Sequence, residues 1–339
     1  MNNDKLGICL VGAGRAGMIH ARNYFERITN ADVVCVVDAV SEAAEQAASE
    51  LKAARFDTDY RNVLDDDRID AVVIAAPTDL HKRVVLDFAD AGKSIFCEKP
   101  MGVTVAECDE MIQRCEANKV ILQIGFMRRH DSSFVQAKEQ IAAGDIGDIV
   151  LIQSCTRGPS KPKPWMYDIS KSNGILAEVN SHDIDSVRWF AESEMDQLYA
   201  IAGNFRNREI AEQYPDYYDN LVMSGTFKNG IQFVITGASY VQYGYDSRME
   251  IVGTKGRIQI GRNDKAFYNC TTPGRGTCTP FIESWTSLFH EAYLAEDRHF
   301  VDCVLNGRNP KVTGLDGRMA VHIVEVGNES IRERKIKKV

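Results

Sequence analysis

Two short stretches hold residues whose types and spacing suit chemistry on a hydroxyl group. The first is Glu98-Lys99-Pro100, directly after the apolar run Ser94-Ile95-Phe96-Cys97. A charged pair at the end of a buried strand is out of place in a core. In an open parallel α/β sheet, however, ligands bind just beyond the carboxyl ends of the strands. Lys99 then becomes a cation at the floor of a cleft, with Pro100 stiffening the chain behind it. The alternative, a solvated Glu-Lys turn, is the better reading of these three residues alone. The second stretch runs Asn173-Gly174-Ile175-Leu176-Ala177-Glu178-Val179-Asn180-Ser181-His182. Glu178 and His182 are four apart and share a face if the segment is helical. A lone histidine here reads best as a satisfied core residue, and its company decides otherwise. Histidine takes up a proton near neutral pH, a cation stabilises a developing alkoxide, and a carboxylate can hold a hydroxyl in line. His182, Lys99 and Glu178 fit those three roles.

The elements that must position them start at the N-terminus. Leu6 to Val11 is an apolar, β-forming run, followed by Gly12-Ala13-Gly14-Arg15-Ala16-Gly17 and a helical pattern through Ile28. Gly-x-Gly-x-x-Gly between a strand and a helix start is a dinucleotide-binding turn. Gly12 allows the turn, Gly14 lets a pyrophosphate approach, and Gly17 lets the helix pack close, with the helix N-terminus facing the phosphates. Asp38 ends the second strand, Asp32 to Val37, where an acid bonds ribose hydroxyls and repels a 2′-phosphate. No arginine follows in Ala39-Val40-Ser41, so NAD is expected rather than NADP. With a nicotinamide cofactor, the trio above becomes the machinery of hydride transfer from an alcohol, the cofactor supplying the redox chemistry.

Strand and helix then alternate. Helices are expected over Ser41 to Ala54, Asp79 to Ala91 and Thr104 to Asn118, and strands over Asp70 to Ala75, Ser94 to Cys97 and Val120 to Ile124. This alternation indicates a doubly wound parallel sheet. Ala76-Pro77-Thr78 and His81 follow the third strand and share the cleft edge with Lys99. His81 either touches the cofactor or is an exposed first-turn histidine.

After Gly125 the pattern changes, which places the domain division at 1–125 and 126–339. One more helix, Ser132 to Ala143, precedes the strand that starts at Ile149 and the stiff loop Gly158-Pro159-Ser160-Lys161-Pro162-Lys163-Pro164. Strand-like runs over Leu221 to Phe227, Ile231 to Ala238 and Met249 to Val252 are separated by turn signals and read as hairpins. Trp285 to Leu305 and Asp316 to Lys335 read as amphipathic helices. The second half is therefore α+β with a large, mostly antiparallel, open-faced sheet, and the C-terminal helix is expected to pack back on the first domain.

The totals exclude several classes. The chain has 339 residues, 44% hydrophobic and 26% charged, with a net charge of −8. That acidity argues against nucleic-acid binding, which calls for a basic face. No apolar run is long enough to span a bilayer, and Met1-Asn2-Asn3-Asp4-Lys5 does not read as a signal peptide. Nine scattered cysteines without a Cys-x-x-Cys pair suit reduced thiols in the cytoplasm. No metal site is expected. Cys270 and Cys278 lie in one Gly/Thr/Pro-rich loop where they could approach each other.

These residues resemble the glucose–fructose oxidoreductase / inositol dehydrogenase / MocA (Gfo/Idh/MocA) family over nearly the whole chain. The resemblance rests on Gly12 to Gly17 with His20, on Ala76-Pro77-Thr78 with His81, on Glu98-Lys99-Pro100 and on Asn173 to His182. Arg157-Gly158-Pro159 with its proline-rich loop, and Tyr243 through Gly256, are most like the inositol 2-dehydrogenase branch. The resemblance implies an N-terminal Rossmann domain, an open-faced C-terminal sheet that builds dimers or tetramers, and Lys99 and His182 as the catalytic pair. It implies a cofactor site of Gly12, Gly14, Arg15, Ala16, Gly17, Asp38, Ala76, Pro77, Thr78, His81, Glu98 and Lys99. Substrate contacts are then expected from Lys99, Arg129, Arg157, Glu178, Asn180, His182 and Tyr245. The chain departs from the family pattern in Glu178, which stands where the family has aspartate, and in Asn173, which replaces the first glycine of a pair. The expected reaction is oxidation of a ring hydroxyl on a cyclitol. The alternatives are a pyranose dehydrogenase or reductase, and a non-catalytic sensor of NAD and sugar.

Overall fold

The computed structural model describes residues 5–261, 270–273 and 276–339, with the side chain of Cys270 outside the described part. The chain forms two compact units, Met1–His130 with Glu291–Val321, and Asp131–His290 with His322–Val339.

The first unit carries β1 (Leu6–Val11), β2 (Ala31–Val37), β3 (Arg55–Asp57), β4 (Ala71–Ile74), β5 (Ser94–Glu98) and β6 (Leu122–Gly125). They form one sheet in the order β3-β2-β1-β4-β5-β6, with every pairing parallel. All residues of β1, β4 and β6 are buried, as a parallel sheet covered on both faces requires. The winding reverses between β1 and β4, and the crevice at the carboxyl ends of such a pair is where ligands bind in this class of sheet. Between the strands run α1 (Arg15–Arg22), α2 (Ser41–Leu51), α3 (Thr78–Asp90) and α4 (Val105–Asn118). Thr104 and Glu107 close a reciprocal capping box on α4. The expected first helix is shorter than its apolar pattern, because it widens into a π turn over Asn23–Arg27. The edge strand β3 escaped the sequence reading, since three residues with an exposed Phe56 give no period.

The second unit starts with α5 (Ser132–Ala142) and β7 (Ile149–Gly158). Three short helices follow, α6 (Ile169–Ser172), α7 (Gly174–Glu178) and α8 (Ser181–Ala191). The remaining strands are β8 (Met195–Gly203), β9 (Asn220–Phe227), β10 (Gln232–Ser239), β11 (Asp246–Gly253), β12 (Arg257–Ile260), β13 (Cys270–Thr272), β14 (Gly276–Cys278) and β15 (Lys337–Lys338). Seven of the unit's strands form a sheet in the order β12-β11-β7-β10-β9-β8-β15. It is antiparallel except where β10 runs parallel to β7. A separate hairpin pairs Cys270 with Cys278 in its backbone register.

Near the C-terminus the expected helix from Trp285 breaks into α9 (Trp285–Leu288) and α10 (His290–Asn306). The last helix, α11 (Gly314–Glu333), has its start in the first unit and His322–Glu333 in the second. Among the described residues no helix is long and apolar enough to cross a membrane.

Candidate active site

In the first unit the three turn glycines answer to different constraints. Gly12 has φ +101°, and a Cβ there would sit 2.7 Å from the Ala75 carbonyl carbon. A Cβ on Gly17 would lie 1.9 Å from the Gly12 oxygen. Gly14 meets no protein atom within 4 Å and is exposed. Packing therefore accounts for Gly12 and Gly17, while Gly14 leaves bare backbone open to a ligand. Gly14 is also the N-cap of α1, without a side-chain cap and with no acid in the first turn, which includes Arg15 and Ala16. Uncapped N–H groups at a helix start suit a phosphate. Asp38, half-buried at the tip of β2, accepts the Ala13 N–H through Oδ2 at 2.8 Å and the Val40 N–H through Oδ1 at 2.9 Å.

The end of β4 leads through Ala76 and Pro77 into α3, whose first residue, Thr78, is buried. The exposed alternative for His81 is overturned, because the ring is 1% exposed. Its Nδ1 faces the Pro100 carbonyl and its Nε2 the Ala76 carbonyl, each at 2.9 Å. Burial pushes its pKa down, so it carries one N–H and donates to one carbonyl at a time. His81 thus braces the ends of β4 and β5.

Lys99 stands half-buried just past β5, with a cis peptide to Pro100. Glu98, the last residue of β5, is buried and accepts the Lys99 backbone N–H through Oε2 at 2.9 Å. Its Oε1 lies 3.0 Å from His20 Nε2, and His20 Nδ1 lies 2.7 Å from Asp297 Oδ1. Asp297 also accepts from Asn23 and Tyr24. Burial alone would lower the His20 pKa, but Asp297 and then Glu98 outweigh it and hold it well above the usual value. Sequence reasoning noted His20 only as part of a signature and missed Asp297, which is 277 positions away and has no local signal. Arg129, expected at the substrate, pairs with Asp316 at 2.8 Å and ties the turn after β6 to the first turn of α11.

In the second unit Glu178 and His182 do not share one helix. Glu178 ends α7, the backbone breaks at Val179 and Asn180, and His182 is the second residue of α8. Asn180 is fully buried and donates to Asp183 Oδ2 at 2.7 Å and to the Thr236 carbonyl at 3.2 Å. Asp183 also accepts from Ser154 and Thr156 of β7. The start of α8, and with it His182, is therefore fixed onto the sheet by four polar side chains, Asn180, Asp183, Ser154 and Thr156. Tyr217, another residue the sequence reading missed, packs edge-on to Tyr167 at 4.9 Å and reaches Ser239 at 3.2 Å. Burial pushes its phenol up to about 12, and the Glu178 carboxylate adds to that shift. Tyr245 is buried, with its ring 6.5 Å from that of Phe289.

Arg157 does not join this cluster. Side chains alternate along a strand, and since Thr156 faces α8, Arg157 points to the opposite face. There it pairs with Asp246 at 3.0 Å and Thr236 at 3.3 Å. It helps line an open depression of ≈ 550 Å³ together with Gln153, Arg248 and Glu250.

Comparison with known families places the chain. Residues 6–126 match the model of an oxidoreductase family with an NAD-binding Rossmann fold, and residues 134–259 match the GFO/IDH/MocA C-terminal domain. The chain belongs to the Gfo/Idh/MocA family. It is 34% identical to a scyllo-inositol 2-dehydrogenase (NAD(+)) of Bacillus subtilis, across 95% of this chain and 93% of that protein. It is 30% identical to a myo-inositol 2-dehydrogenase of Thermotoga maritima, across 97% of both. Among solved structures, a scyllo-inositol dehydrogenase of Lactobacillus casei with bound NAD(H) and scyllo-inositol has a TM-score of 0.90 at 27% identity, covering 98% of this chain and 99% of that one. The cofactor of this Gfo/Idh/MocA oxidoreductase is NAD, and the open backbone at Gly14, the uncapped start of α1 and the acid at Asp38 fit it. Among the described residues no group of three His, Cys, Asp or Glu side chains is arranged to hold a metal.

Proposed function

We propose that this protein is a dehydrogenase that oxidises a ring hydroxyl of a cyclitol to the ketone, with Lys99 and His182 as the catalytic pair. The observation that carries the reading is Lys99 at the carboxyl end of β5, braced by Glu98, in a unit whose glycine turn fits NAD. The inositol dehydrogenases among its relatives support the substrate class. NAD, when bound, supplies the hydride acceptor. His182 takes the hydroxyl proton, as imidazole does near neutral pH. The Lys99 ammonium stabilises the negative charge that grows on the oxygen as the proton leaves. Glu178 accepts a neighbouring hydroxyl and so fixes which carbinol reacts. Thr78, Ala76 and Pro77 are proposed to line the cofactor site, and Asn180 and Tyr245 the substrate site.

The open face of the second sheet supports a second proposal, that copies of the chain meet there. Ile201 and Val222 are cross-strand partners and are 55% and 43% exposed, a hydrophobic pair that association would cover. The assembly is proposed to be a dimer or tetramer working in the cytoplasm.

The test is a dehydrogenase assay across inositol isomers and hexoses, with NAD and with NADP. The reading expects NAD reduction with at least one cyclitol and much slower use of NADP. Turnover of hexoses with no cyclitol accepted would replace it with the pyranose reading.

A further inference from the structure

His20 is fully buried in a ring of polar and aromatic groups. From α10 come Asp297 and Tyr293, from the π turn Asn23 and Tyr24, which bond to Asp297, and from β5 Phe96 and Glu98. The His20 ring lies 4.8 Å from Phe96 and 5.3 Å from Tyr293, so its position is fixed by packing as well as by hydrogen bonds. Both ring nitrogens face carboxylates, at 2.7 and 3.0 Å. Only an imidazole with two N–H groups donates to both. Buried charges persist only when paired, and each His20 ring nitrogen has a carboxylate partner here.

The Glu98 carboxylate has little room to move. A Cβ on Gly125 would already come within 3.1 Å of its carboxyl carbon. One of its oxygens is held by His20 and the other holds the Lys99 backbone N–H. We propose that His20 is a positioning residue for Lys99, passing the hold of Asp297 through Glu98 to the Lys99 backbone. The inference rests on Lys99 being catalytic. It assigns a task to His20 and Asp297, neither of which is placed at the substrate or the cofactor.

The chain Asp297–His20–Glu98–Lys99 predicts a specific pattern. Loosening it leaves the Lys99 side chain present but off its mark, and misplacement by about 1 Å costs about 100-fold in rate. His20→Gln and Asp297→Asn should each lower kcat by about that factor, with KM for the cyclitol and the NAD dissociation constant changed less than about twofold. In a Lys99→Ala background, His20→Gln should add no further loss, because residues acting through one group are not additive.

A general structural role predicts instead an independent loss in both backgrounds. If Lys99→Ala is inactive and folded His20→Gln keeps the wild-type kcat, the positioning role is wrong while the catalytic reading stands. If Lys99→Ala keeps wild-type turnover, both fall. Should the variants fail to fold, histidine NMR of the wild-type protein bound to NAD still decides. His20 should show two ring N–H protons at neutral pH, and a neutral His20 ring overturns the proposal.

Discussion

The Asp38 carboxylate accepts the backbone N–H of Ala13 at 2.8 Å, which ties the tip of β2 to the glycine turn after β1. One side chain therefore stiffens the turn and also sets the charge where the adenosine ribose is expected. Asp38→Ser should raise the kcat/KM ratio of NADP to NAD by at least tenfold, about 1.4 kcal/mol of discrimination. It should also weaken NAD binding, because the turn loses a brace. Steady-state kinetics with both cofactors checks this, and an unchanged ratio would remove Asp38 from cofactor choice.

The glycines make a paired prediction. Ala at Gly17 meets the Gly12 oxygen at 1.9 Å, so Gly17→Ala should lower thermal stability strongly. Ala at Gly14 meets no protein atom, and the Gly14 backbone, φ −73° and ψ −174°, accepts a side chain. Gly14→Ala should therefore melt like wild type yet bind NAD at least tenfold more weakly, about 1.4 kcal/mol. Calorimetry for binding and a melting curve for stability separate the two. Equal stability losses would mean that Gly14 is a packing glycine after all.

Much of the first unit was legible because its signals are local. The glycine turn, the acid at Asp38 and the strand-helix alternation each lie within a few tens of residues, and continuous apolar strands announce a doubly covered sheet. The clamp of His20 by Asp297 was not legible, since nothing in sequence links residues 277 positions apart. The break between Glu178 and His182 was hidden for the opposite reason. Spacing of four suggests a continuous helix, yet Asn180 turns its side chain onto β10 and restarts the helix there. In the second sheet, hairpin signals foretold the antiparallel pairs but could not show that β10 runs parallel to β7. Arg157 was misplaced because its face depends on the strand's phase against α8, which one sequence does not show.

Asn180 supplies the next prediction. A Cβ at Gly237 of β10 would lie 1.8 Å from Asn180 Oδ1. Gly237→Ala should push the start of α8 off the sheet and carry His182 with it. Turnover should fall at least tenfold, with NAD affinity unchanged, since the cofactor residues lie in the other unit. Kinetics beside NAD titration tests this, and parallel losses in both would point to general unfolding.

Three histidines, the buried His20 and His81 and the half-buried His130, give stability opposite slopes with pH. His20 has its folded pKa raised, so its contribution is complete below about pH 6.5, the unfolded value. It is lost as pH rises through the folded value. His81 has its pKa lowered by burial, and His130 is lowered to about 3 by burial and the nearby His299. Below about pH 6.5 the unfolded chain binds protons that these two refuse, so stability falls as pH drops. Denaturant unfolding across pH should show the gap between wild type and His20→Gln narrowing on the alkaline side. His130→Phe should flatten the acid side, and a constant gap in both would contradict these assignments.

In the proposed reaction Lys99 and His182 perform the chemistry on a cyclitol. The most direct measurement is turnover of Lys99→Ala and His182→Ala with the best cyclitol substrate, beside NAD binding to each variant. Each kcat should fall by about 100- to 10,000-fold, the range of a lost acid–base or charge-stabilising group, with NAD binding close to wild type. Wild-type turnover in both variants would contradict it.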